Sequence, residues 1–214
     1  MVMHMRAAGF CFIAGLTGAL PACSTTSSVP PELSDIEACK GARWPVKTGT
    51  DSDAAQVNTT PQGTTIAQLV ALKPPSATTL ATDVFTAHRS APDETTTFKL
   101  TNVTLSSFQL SPDRDITLIV TDGTNQMNIE MPDPSCASGS TFLTQITAVR
   151  NTFASRHQPM STFTMVNETV TVFGVGFFDI PHGQPGQAPN GIELHPVLGF
   201  CFDPGCSILK TTTF

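Results

Sequence analysis

Glu168-Thr169-Val170-Thr171-Val172-Phe173-Gly174-Val175-Gly176-Phe177-Phe178 and, one loop later, Ile192-Glu193-Leu194-His195-Pro196-Val197-Leu198-Gly199-Phe200 decide the fold. Val170, Val172, Val175 and Phe177 mark the first stretch as a strand rich in β-branched and aromatic residues, bounded by turn formers. A Pro/Gly loop, 180–190, leads to the second stretch, which reads as the last strand. Upstream, 97–105 alternates, with Phe98, Leu100 and Asn102 as one set and Thr101, Val103 and Leu105 as the other. Both sets are partly apolar, as in a closed or covered sheet. The turn 110–115 leads to a strand at 116–120, Asp122-Gly123 makes a hairpin turn, and 127–131 is a further strand ended by Pro132-Asp133-Pro134. Phe142, Ile146, Val149 and Phe153 share one face of an amphipathic helix over 140–156.

The resulting order, β-β-β-α-β-β, is that of an OB-fold, a five-stranded Greek-key barrel with a helix between its third and fourth strands. The expected architecture is therefore mainly β: an OB-like barrel over 94–202, an N-terminal arm over 39–93 that packs on it, and a C-terminal tail over 203–214. Within the arm, Arg43-Trp44-Pro45-Val46-Lys47-Thr48 is expected to be extended, because Pro45 biases Trp44 away from helix. A short helix is expected over 65–72, stopped by Lys73-Pro74-Pro75, and a weak strand near 84–87.

The first 22 residues have the layout of a secretory signal peptide, with a basic start ending at Arg6, an apolar middle over 7–20, and small residues at the cut. Leu20-Pro21-Ala22-Cys23 resembles the lipobox of bacterial lipoproteins, which implies that Cys23 is acylated and becomes the mature N-terminus. The stretch 23–38, rich in Ser, Thr and Pro, reads as a flexible tether. By resemblance to the sorting rules of Gram-negative lipoproteins, Ser24 after the Cys implies an outer-membrane or periplasm-facing lipoprotein. With a net charge of −6 the chain is a poor polyphosphate binder, so no nucleic acid is expected. Its 14 Phe, with one Trp and no Tyr, suit a core better than exposed stacking platforms.

Cys11 leaves with the signal and Cys23 carries lipid, so Cys39, Cys136, Cys201 and Cys206 remain. In an exported chain they read as two disulfides with three possible connectivities. Cys201-Phe202-Asp203-Pro204-Gly205-Cys206 is a turn with a thiol at each end, which leaves Cys39 to join Cys136. No second CxxC or nearby His pair supports a thiolate metal site.

Trp44-Pro45-Val46-Lys47-Thr48-Gly49-Thr50-Asp51, Gly174 to Asp179, His182-Gly183-Gln184, Gly186 and Ala188 to Val197 resemble the signature stretches of an uncharacterised family of small exported bacterial proteins. The resemblance covers the arm and the barrel. It implies this domain layout and carries no activity, and the Cys-rich end after Phe200 lies outside the pattern.

The polar cluster Asp179, His182, Asn190, Glu193 and His195 is the candidate site. Glu193 and His195, two apart on a strand, leave the same face. Asp179 and His182 open the Gly/Pro loop, and Asn190 closes it. One reading is loop-locking, because the backbone groups of such a loop need partners; a non-catalytic ligand site is the next. The alternative is a metal-dependent hydrolase in which His182, His195 and Glu193 supply ligands beside Asp179. No Gly-x-Ser-x-Gly elbow is present, and Arg114, Arg150 and Arg156 suit no nuclease-like phosphate site. The expected function is a membrane-tethered envelope lipoprotein working as a non-catalytic binding module. It implies a lipid anchor, a partner that is an envelope protein or a small ligand, and no cofactor.

Overall fold

The computed structural model describes residues 38–76, 88–203 and 206, so the signal, Cys23, all but the last residue of the tether, the expected strand near 84–87 and most of the tail lie outside the described residues. The fold is mainly β. The arm supplies helix α1 (Trp44–Thr48), strand β1 (Asn58–Thr64) and helix α2 (Ile66–Val70). Strands β2 (Thr96–Leu110), β3 (Ile116–Thr121) and β4 (Gln126–Met131) follow, then helix α3 (Leu143–Ala154) and strands β5 (Thr164–Phe178) and β6 (Ile192–Phe202). The six strands form one mixed sheet in the order β1-β2-β3-β4-β6-β5. Because β2 also pairs with β5, hydrogen bonds close into a ring through five strands. β4 meets β6 in parallel at Ile129 and Leu194.

From 96 onward the element order is the expected one; the arm departs from expectation twice. Trp44–Thr48 is helical, because Pro45 stands in the first turn, where a missing N–H loses no intrahelical bond. Arg43 enters at φ 56° and Gly49 leaves at φ 68°, where the Phe142 ring also leaves no room for a Cβ. The second departure is β1, which adds a sixth strand parallel to β2. Asn58-Thr-Thr-Pro-Gln-Gly-Thr64 has no apolar alternation because both its faces are largely exposed. Its Pro61 is tolerated on a sheet edge. α2 matches its expected place, capped by reciprocal hydrogen bonds between Thr65 and Gln68.

Two hydrophobic clusters explain the apolar runs. The larger fills the ring with Leu100, Leu105, Leu118, Ile129, Val172 and Leu194, among others. Phe108, Phe153, Phe200 and Phe202 close one end of it as edge-on pairs, with Phe108 and Phe153 centred 5.0 Å apart. A smaller cluster lies outside the ring, where Val57 of the arm, Ile146 and Phe142 cover Phe173, Val175 and Leu198. β5 and β6 are therefore covered on both faces, as their near-continuous apolar sequence requires. In β2 the alternation slips at Asn102 (φ 57°), where the register shifts between Leu100 and Val103. That bulge puts Leu100, Val103 and Leu105 in one core although their spacing is odd.

Cys39 joins Cys136, with Cα atoms 5.2 Å apart, and Cys201 joins Cys206, with Cα atoms 5.4 Å apart. The second bridge closes a separation of only 5 residues. Replacing Cys201 and Cys206 together by Ala is therefore expected to lose at most roughly 2 kcal/mol. A urea titration checks this; a loss above roughly 4 kcal/mol would show that the bridge does more than close a turn.

Candidate functional site

Parallel pairing of Ile129 with Leu194 turns their neighbours the same way, so Asn128 and Glu130 of β4 share a face with Glu193 and His195 of β6. This face lies opposite the core that holds Ile129 and Leu194. Asp115, just before β3, joins them, as does Thr117, which is paired with Glu130. The face is buried without being apolar: Asp115 and Asn128 are fully buried, Glu193 and His195 are 1% exposed, and Glu130 is 7% exposed. The cover consists of α1, which brings Lys47, and the loop 179–191.

The loop is held by the residues that its sequence singles out. Asn190 Nδ2 donates to the carbonyls of Leu69 and Leu72 at 2.9 and 3.0 Å, tying the loop to α2, and its Oδ1 accepts from the Ile192 N–H. Gln184 Nε2 donates to Glu193 Oε1 at 2.8 Å. Asp179 Oδ1 accepts from the Ile180 N–H, while Oδ2 faces His182 Nε2 at 3.3 Å and Lys47 Nζ at 3.8 Å. Gly186 (φ +79°) lays its backbone on Asn128 and Ile119, where a Cβ would collide with both. Gly183 has the same φ and open space around it. Gly183→Ala is thus expected to cost about 1 kcal/mol of backbone strain. Gly186→Ala is expected to cost about 2–3 kcal/mol, because it also lifts the loop. Equal urea midpoints for the two variants would show that the loop does not rest on this face.

The five predicted residues divide into two groups. Glu193 and His195 enter the buried face, while His182 stands at its rim with a side chain 55% exposed. Among the described residues the four groups of the hydrolase alternative do not gather around one point; the residues that gather are Asp115, Glu130 and His195, with one ligating atom of each within 4.8 Å of the others. His195 Nε2 is 3.2 Å from Asp115 Oδ2, and Nδ1 is 3.8 Å from Glu193 Oε2. Neither approach has hydrogen-bond alignment, and both ring nitrogens, Asp115 Oδ2, Glu193 Oε2 and both polar atoms of Asn128 have no hydrogen-bond partner. Glu130 Oε2 accepts from Thr117 Oγ1 at 3.1 Å.

Burial disfavours a charged imidazole, but the Asp115 and Glu193 carboxylates beside it outweigh that and raise His195 to about 9. Burial, with the charge of Glu193 beside it, pushes the Glu130 carboxyl well above the usual range. Burial works against the Lys47 ammonium, yet Asp179, Glu193 and Glu130 together hold its pKa above normal. The Phe177 ring is edge-on to His195, 5.6 Å between centroids, and lies under the Lys47 ammonium and the Arg43 guanidinium.

Sequence reasoning missed Asp115 and Glu130. Asp115 passes for a turn residue. Glu130 had a weak signal: Asn128-Ile-Glu130 and Glu193-Leu-His195 are both polar pairs set two apart, the second in an otherwise apolar strand and the first within the plain alternation that Gln126 begins. Such pairs share a face, and nothing in the sequence alone joins the two strands. No protein-family model matches the chain, and no curated protein does.

Proposed function

We propose that the chain is an exported envelope protein anchored by lipid at Cys23, and that its OB-like domain is a non-catalytic binding module. The ring order, in which the fifth ring strand sits between the third and the fourth, and the helix between the third and fourth support the OB-like reading. The two disulfides suit an oxidising compartment. Among the described residues no helix is long and apolar enough to cross a membrane. The observation that carries the non-catalytic reading is closure. His195, Glu193 and Asp115, the groups with reactive potential, lie beneath the arm and the loop, out of a substrate's reach. An open groove lies elsewhere, beside α3, lined by Leu110, Ile116, Arg150, Asn151, His157 and Pro159. Met160 next to it is 59% exposed.

Two experiments test this reading. Wild-type protein is expected in the membrane fraction with acyl mass on Cys23, and Cys23→Ser in the soluble fraction. Cleavage elsewhere without added acyl mass would overturn the anchor. A panel of chromogenic ester and phosphodiester substrates is expected to show no turnover. Turnover that disappears in a folded His195→Ala variant would replace the binding module with an enzyme.

A further inference from the structure

We propose that Asp115, Glu130 and His195 hold one divalent cation of the zinc or manganese class, sealed between the sheet and its cover. This goes beyond the binding-module reading and does not depend on it.

The geometry is the first argument. Ligand atoms 2.0–2.2 Å from a tetrahedral centre stand about 3.3–3.6 Å apart. His195 Nε2 and Asp115 Oδ2 are 3.2 Å apart, which is close to one edge of such a site and badly aligned for a hydrogen bond. A Glu130 carboxylate oxygen completes a set whose members all lie within 4.8 Å of one another. Behind the ring, Nδ1 faces Glu193 Oε2 at 3.8 Å, where a carboxylate would orient a ligating imidazole.

The unmet polar atoms are the second argument. Buried polar atoms in folded proteins almost always have partners. Here both His195 nitrogens and Asp115 Oδ2 make no hydrogen bond in the same small space, although Nε2 and Oδ2 are within ion-pair range of each other. A shared cation would bind Nε2 and Oδ2 at once and leave Nδ1–H to Glu193.

Charge is the third. Asp115, Glu130, Glu193 and Asp179, with half-buried Asp113 beside them, face Lys47, His195 and Arg150, five potential anions against three potential cations. Lys47 is 3.8 Å from Asp179, its ion-pair partner at the Asp179 end of the face. A buried carboxylate excess is relieved by protonation or by a bound cation. The close but misaligned His195–Asp115 contact, with no hydrogen bond made at either ring nitrogen, favours the cation. One imidazole with carboxylates, and no thiolate, suits zinc or manganese better than calcium, magnesium or copper(I). Enclosure implies that the ion enters before the loop 179–191 closes.

The test uses the mature chain with both disulfides intact. The protein is unfolded in denaturant with chelator, then refolded with Zn²⁺, with Mn²⁺, or with neither, and desalted. The expected result is roughly one Zn²⁺ or Mn²⁺ per chain by elemental analysis and a melting point about 10 °C above that of the metal-free protein. Cobalt(II) loading should give the visible absorption of a site with a nitrogen ligand. Asp115→Asn and Glu130→Gln should each lose most of the bound metal; should either fail to fold, the wild-type measurements decide. Equal melting points with and without metal, no retained ion, retention of Ca²⁺ or Mg²⁺ alone, or full retention in a folded variant would each overturn the assignment.

Discussion

Glu94→Ala is expected to lower stability by about 3–5 kcal/mol, a large part of what a domain this size has. Glu94 is fully buried at the start of the first ring strand. Its carboxylate accepts from Arg43 Nη1 and Nη2 at 2.7 and 2.6 Å, from the Ser90 N–H at 2.6 Å and from the Phe178 N–H at 2.8 Å. One side chain thus joins the arm, the segment before β2 and the end of β5. Truncation strands a guanidinium that is 1% exposed, together with two backbone donors. Some relief remains, since Arg43 also donates to the carbonyls of His88 and Phe178. A double-mutant cycle isolates the pair: Arg43→Met should cost much less in the Glu94→Ala background than alone. Urea unfolding measures all four proteins. A Glu94→Ala loss below about 1 kcal/mol would show that the arm is not fastened here.

The contrast between ring and arm shows what one sequence makes legible. The ring strands and α3 follow from periodicity because burial there is apolar, and apolar burial is written in spacing. Phe142, Ile146, Val149 and Phe153 are all buried as their spacing demands. The arm is held by other means. Arg89 makes a two-point contact with Asp51, at 3.0 and 2.7 Å, and also donates to the carbonyls of Val46 and Glu94. Such pairs join residues far apart in sequence and carry no periodic signal, so Arg43, Arg89 and Glu94 look like ordinary surface charges. β1 is harder still, because backbone pairing alone places it.

The candidate site was half legible for the same reason. Asn190 and Asp179 hold the loop as hinge residues should, and Gln187 Oε1, not His182, accepts the loop's N–H groups at His182 and Gly183. Glu193 and His195 are where their strand puts them. Their partners come from β4 and from the turn before β3, and that meeting depends on the parallel contact between β4 and β6. A polar pair inside an apolar strand therefore signals a second buried face, and the topology decides what that face contains.

Removing the Cys39–Cys136 bridge, by replacing both residues with Ala, is expected to lower the melting point by about 8–20 °C. The bridge closes a separation of 97 residues. In the chain-entropy model that restricts the unfolded state by roughly 4–5 kcal/mol, and a chain of this length changes by about 2–4 °C per kcal/mol. The link has a structural side as well. It fastens the start of the arm to the short turn after β4, beside the Gly49 carbonyl that accepts from the Thr141 N–H at 3.1 Å. Without it the arm would still hold through the buried Arg43–Glu94 pair and through Arg89, which donates to the Glu94 carbonyl while its pair with Asp51 braces the arm internally. The folded state should therefore survive with a similar spectrum, and most of the loss should come from a freer unfolded chain. Scanning calorimetry of wild type, the Cys39/Cys136 variant and the Cys201/Cys206 variant makes the comparison. The first pair should cost at least twice what the second does, because the entropy of the closed loop grows with its length. Equal losses, or a larger one for Cys201 and Cys206, would mean that the short bridge fixes native structure and that the long one does not govern the unfolded chain.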